Sequence, residues 1–183
     1  MEKTFGIVSA LLVTTLSASG SAAELQGALG VNAYGSTWRG DFGGGTLLHL
    51  GVRFAQVVAL DFQGAESLAR VDKRVNTGVT FGVAGYLPRP GTRPYARLFA
   101  IHQHEEGLVS VEASPWTTAL GIGAGIRHRV GAGLALGAAI PVAKDDKLTW
   151  VFAPRVTATW LPDPLGPKWY FGAEAAFGFD RVL

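Results

Sequence analysis

Two groups of side chains in this sequence have the types and spacing to do chemistry. His102, His104 and Glu106 stand at alternate positions. Alternate residues of an extended strand share a face, so two imidazoles and a carboxylate would point the same way. That donor set suits a divalent metal. The plainer reading is the polar end of a strand, and spacing alone leads us to expect no metal or cofactor. The second group is Arg53, Asp61, Arg127, Arg155 and Glu174, ionisable residues set into otherwise apolar, alternating segments. Nothing resembles a catalytic set. A serine needs an adjacent base to become a nucleophile, and no His-x-Ser occurs: His49 and His128 precede Gly51 and Val130, and His102 precedes His104. The expectation is a protein that is not an enzyme.

The elements that must position these residues are strands. In Leu148–Leu161, Trp150, Phe152, Pro154, Val156, Ala158 and Trp160 fall on one parity, and Thr149, Val151, Ala153, Arg155, Thr157 and Thr159 on the other. A period of two marks a strand with one oily face. At about 3.3 Å per residue and a tilt of about 40°, Trp150 and Trp160 would stand roughly 25 Å apart along a membrane normal, the height of the apolar band on a transmembrane barrel. Indole rings favour the two membrane interfaces, so these two are expected to be interface aromatics.

Composition agrees. Hydrophobic residues make up 48% of the 183 and charged residues only 16%, with 25 glycines and no cysteine. Lipid must be faced around a whole circumference, which explains so much apolar surface without a long apolar run after residue 23. A soluble β-sandwich is the alternative. Charges are scattered and the formal net charge is +2, so no nucleic-acid partner is expected. Residues 1–23 read as a cleaved secretory signal peptide: an apolar Thr4–Leu16 followed by Ser21-Ala22-Ala23, too short to span a membrane comfortably. Residues 24–183 then form one barrel domain.

Taken in order, Leu25–Tyr34 alternates, and Gly35–Gly45 reads as a glycine-rich loop. Thr46–Phe62 keeps a single parity through seventeen residues, with Leu48, Leu50, Val52 and Phe54 opposite His49, Gly51 and Arg53. It is either one long strand or two strands split by a tight turn at Ala55-Gln56. Gly64–Val75 is charged and irregular, a loop. Asn76–Leu87, Tyr95–Glu106, Thr117–Arg129, Leu134–Val142, Leu148–Leu161 and Tyr170–Leu183 read as strands, with Val130–Gly133 a turn. Neither parity of Tyr95–Glu106 is uniformly apolar, because Arg97 shares its side with Phe99 and Ile101. The fold class is all-β, a transmembrane antiparallel up-and-down barrel. Eight strands, with Thr46–Phe62 whole, is the expected count. Ten follow if it splits and another strand lies in Leu108–Pro115; an odd count is excluded because both ends return to the same side.

Gly51-Val52-Arg53-Phe54 followed by Val58-Ala59-Leu60-Asp61-Phe62 resembles a hairpin of the OmpA-like and OmpX-like small outer-membrane barrels, a likeness that favours the split. Gly121–Leu136 resembles a later hairpin of the same kind. The last strand resembles the family's assembly signal but ends in Leu183 where the family usually has Phe. The resemblance implies a Gram-negative outer-membrane location and no single function, since its members serve as anchors, adhesins, pores and enzymes. The lipid A deacylases among small barrels use a His two residues before a Ser, a pattern this chain lacks.

On this reading the five charged residues point into the lumen, because a charge facing lipid near the midplane costs about 2–4 kcal/mol. There they would pair and fill a narrow barrel. The expected role is a non-enzymatic envelope component, in contact with outer-membrane lipid and with envelope protein partners through its loops. A small passive pore is the alternative, and a lipid-modifying enzyme a more distant one.

Overall fold

The computed structural model describes residues 23–108, 115–122, 125–164 and 166–183. The leader assigned to residues 1–23 lies outside them apart from Ala23. Eight antiparallel strands close into a barrel: β1 (Glu24–Ser36), β2 (Phe42–Phe54), β3 (Val58–Ala69), β4 (Arg74–Tyr86), β5 (Arg93–Gly107), β6 (Arg127–Lys144), β7 (Leu148–Trp160) and β8 (Trp169–Val182). Each pairs with its neighbours in sequence, and β8 pairs back onto β1. A walk through paired residues starts at Leu25 and passes Val52, Leu60, Val83, Leu98, Leu134, Ala158 and Phe171. It returns to β1 at Gly35, ten positions further along. A stagger of that size over eight strands requires a tilt of about 40°.

The count of eight holds, but the strands divide differently from the sequence reading. Thr46–Phe62 is split. Phe54 opposes Val58, so three residues lie between the strands. An odd number of intervening residues leaves the same parity facing inward on both sides, and the oily period runs through the turn unbroken. Ala55 and Gln56 take φ of 48° and 60°, a conformation usually advertised by Gly or Asn, so turn chemistry gave no signal either.

The strand gained there is lost later. Thr117–Arg129 is not a strand: Pro115–Leu120 is a short helix, α1, and β6 begins only at Arg127. Gly121 (φ 66°) and Gly125 (φ 94°) turn the chain between them, a backbone that no strand can adopt. Val130–Gly133 is not a turn but lies inside β6, and Gly121–Leu136 is therefore not a hairpin. Pro141 sits where the β6–β7 register shifts, as a residue without an N–H must.

At the rim opposite the termini, strands overrun two segments read as loops. β2 begins at Phe42 and β3 continues to Ala69, with a 3₁₀ turn at Val71–Lys73 before β4. Above the membrane, outward positions need not be apolar, so pairing continues after the oily period stops. Turns at the termini end are short (55–57, 87–92, 145–147). The connection from β5 to β6, of which residues 108, 115–122 and 125–126 are described, leaves and rejoins the barrel at the opposite rim, as do three other connections.

The outward parity is apolar all round, with Leu29, Phe81, Leu98 and Phe171 each more than half exposed. Charge is inside: Arg53, Asp61, Arg97, Glu105, Arg129, Arg155 and Asp180 are all buried. Relative to a soluble domain the molecule is inverted.

Candidate functional site

The inward charges form three tiers. At the termini end, Arg53 of β2 donates to Glu24 of β1 and to Asp180 of β8 (2.7 Å), and Arg93 of β5 reaches Asp180 at 2.9 Å. The Arg53 guanidinium also lies 4.9 Å from the centre of the Tyr86 ring. At the waist, Arg97 donates to Asp61 at 2.7 Å and to the Thr80 hydroxyl at 2.7 Å, while Arg155 donates to Glu174 at 2.5 Å and to Gln63. At the upper rim, Arg74 spans Asp41 (2.5 Å) and Glu105 (3.2 Å). Arg129 donates to Glu105 at 2.6 Å, to Tyr170 at 2.7 Å, and to the carbonyls of Leu161 and Pro167. Arg127 stands 3.6 Å from both Glu105 and Asp163.

Each tier pairs cations with an equal number of carboxylates: Arg53 and Arg93 with Glu24 and Asp180; Arg97 and Arg155 with Asp61 and Glu174; Arg74, Arg127 and Arg129 with Asp41, Glu105 and Asp163. Charges taken out of water are tolerated when paired and hydrogen-bonded, and these are. Small residues make room for them. A Cβ built on Gly82 would lie 2.6 Å from Arg97 Nε, so the guanidinium crosses the wall where only glycine permits it. A cavity of about 100 Å³ lies above the waist and one of about 40 Å³ below it, and Arg97 lines both.

A second cluster sits on the outer face near the upper rim. His104 of β5 pairs directly across from His128 of β6, and His102 lies on the same face of β5. His102 Nε2 and His104 Nε2 are 2.8 Å apart, and His128 Nδ1 is 3.4 Å from His102 Nε2. One nitrogen from each ring falls within 4.8 Å of the others. Glu106, which sequence spacing grouped with His102 and His104, is buried, and the donor group that converges is His102, His104 and His128. The third member is His128. α1 packs against β4 and β5 and presents Trp116 (79% exposed), with Leu120 and Ile122 exposed beyond it.

No protein-family model matches the chain, and no curated protein matches it. Solved structures do match. Neisserial surface protein A (NspA) aligns at TM-score 0.56 and 11% identity, covering 90% of this chain and all of that one. The attachment invasion locus protein Ail of Yersinia pestis, in complex with the heparin analogue sucrose octasulfate, gives 0.52 and 11%, covering 88% and 99%. The N-terminal β-barrel domain of Pseudomonas aeruginosa OprF gives 0.51 and 15%, covering 87% and 99%. The fold is that of the small outer-membrane barrels.

Among the five charged residues singled out from sequence, Arg53, Asp61 and Arg155 are buried inside and Glu174 joins Arg155. They do not form one network. Arg53 and Asp61 belong to different tiers, and Arg127, with its side chain 41% exposed, lies at the rim. Their principal partners Glu24, Arg97, Glu105 and Asp180 were missed. Glu24 sits at a strand end, where alternation is weak, while Asp180 continues the inward parity of Glu174 on β8. Arg97 shares its parity with Phe99 and Ile101, and the structure orients that parity inward. Sequence held a usable signal here, since on β5 an arginine counts for more than two apolar residues against a lipid-facing assignment. Trp150 and Trp160 are partly exposed on the outward face at opposite ends of β7. Trp150 stacks on Phe177 (5.6 Å) and Trp160 pairs across from Trp169.

Proposed function

We propose that the protein is an integral outer-membrane barrel with a closed lumen, non-enzymatic, which works through its upper rim. The observation that carries this is the inversion of the molecule: apolar side chains around the whole outer wall, and paired charge in the interior. The termini and short turns then face the periplasm, and the rim bearing α1 faces outward, in keeping with the general plan of such barrels. The Trp160–Trp169 pair marks the outer interface and Trp150 the inner one. Outer-membrane lipid is the immediate partner. Envelope proteins would engage the rim, where Arg39, Arg70, Lys73 and Lys168 are exposed.

The closed lumen separates this reading from a passive pore. Two small cavities parted by a waist of ion pairs offer no wide aqueous path. Two experiments test the proposal. Membranes containing the protein are washed with alkali and high salt, and retention of the chain is expected; release would sink the integral assignment. The purified barrel is then placed in planar bilayers, where no steady conductance is expected. Openings altered by Arg155→Ala would replace the closed barrel with the pore. Reversible crosslinking before mild detergent extraction would identify any rim partner.

A further inference from the structure

We propose that His102, His104 and His128 form a binding site for a divalent transition metal such as Zn²⁺. Three observations carry it. The first is rigidity of placement. His104 and His128 are a directly opposed cross-strand pair, and His102 is two residues along the same face. The backbone of a closed barrel therefore holds all three, with no loop having to order itself.

The second is convergence. Zinc–imidazole bonds of about 2.0–2.1 Å at tetrahedral angles put ligand nitrogens about 3.3–3.4 Å apart. The closest approaches here are 2.8 Å and 3.4 Å, and the rings lie at 65–83° to one another, so they meet edge to face rather than stacking. Small ring rotations bring the set onto a metal.

The third is position. His128 lies four residues beyond Ala132, the partner of Trp160, which puts the cluster roughly 10 Å outside the aromatic belt. There it is clear of hydrocarbon and reachable by ions from outside. His102 and His128 are exposed, so a fourth coordination position is open to water or to a donor from another molecule. Gly121 closes the other side; a Cβ there would lie 2.7 Å from the His104 ring. An all-nitrogen site excludes Mg²⁺ and Ca²⁺, which take oxygen, and ranks Cu²⁺ above Zn²⁺ in affinity.

The test is titration of the full-length mature barrel, purified without a histidine tag in detergent micelles, with ZnCl₂ alone. The chain has four histidines, so the His102→Ala/His104→Ala/His128→Ala triple variant retains only His49. One equivalent of zinc is expected to bind at micromolar Kd or tighter. Each single substitution should weaken binding at least tenfold, and millimolar Mg²⁺ should not compete. Binding should vanish in the triple variant, with circular dichroism confirming an intact barrel. His128→Ala is decisive, because only the fold brings that residue to the other two. Zinc bound equally well by the triple variant, or by the His128→Ala variant, would overturn the site. So would wild-type binding too weak to distinguish from the triple variant. His→Gln replacements, which keep polarity and size, provide the same comparison should any alanine variant fail to fold.

Discussion

Replacing Arg97 with alanine tests the tiered interior directly. Arg97 is 2% exposed, donates to Asp61 at 2.7 Å and holds the Thr80 hydroxyl. The substitution leaves Asp61 buried without its cation and opens space across the waist. Removing one partner of a buried ion pair costs about 3–5 kcal/mol, most of it from the charge left behind. Arg127→Ala supplies the control. Its side chain is 41% exposed and its two carboxylate contacts are each 3.6 Å long, so the loss should be under about 1 kcal/mol. The double variant Arg97→Met/Asp61→Leu removes both charges and fills their volume. It should recover most of the loss, because a buried pair replaced by apolar groups is close to neutral. The assay is equilibrium unfolding in denaturant of the barrel in lipid or detergent, followed by tryptophan fluorescence, with Trp150 and Trp160 reporting departure from the apolar phase. The predicted coupling between positions 61 and 97 is at least about 2 kcal/mol. A single-variant loss no larger than that of Arg127→Ala would refute the reasoning. So would a double variant whose loss equals the sum of its parts.

Three further outcomes follow from the same geometry. Leu98, 67% exposed on the outer wall, should cost about 2–4 kcal/mol on replacement by arginine if it faces lipid, against about 0.5 kcal/mol on a water-facing surface; unfolding in lipid vesicles measures which. Ala55 and Gln56 adopt positive φ without being glycine, so Ala55→Asn/Gln56→Gly should stabilise the barrel by about 1 kcal/mol, read as a raised denaturant midpoint. Gly82→Val would press on the Arg97 guanidinium and should cost about 1–3 kcal/mol. Its effect should shrink in the Arg97→Ala background, where the clash is gone.

The two faces of the barrel were legible in the sequence. β7 and β8 show why: Trp150 to Trp160 and Phe171 to Phe179 alternate without a break, and their opposite parity is the one that carries Arg155 and Glu174. A strand crossing lipid needs an apolar side chain at every second position, so the solvent on each face is written into the local order of residues. That was enough for the fold class and for the inward placement of the charges in β2, β3, β7 and β8. Strand division was not legible at two places. The β2–β3 turn preserves parity, and the Leu120–Ile126 stretch mimics a strand until Gly121 and Gly125 turn it.

Pairing lies beyond local order altogether. Arg53 meets Glu24 and Asp180, Asp61 meets Arg97, and His128 meets His102 and His104. None of these sets is adjacent in sequence. Closure of eight strands decided each of them, because the register of every ladder fixes which residues stand at one height on one face. On β2, β3, β7 and β8 the sequence alone determined which side chains face lipid and which face the interior, since that depends on parity within a single strand; on β5, where Arg97 shares its side with Phe99 and Ile101, the structure decided it. Only the tertiary structure decided the tiers and the three-histidine cluster, because a contact between strands depends on the stagger accumulated around the whole barrel.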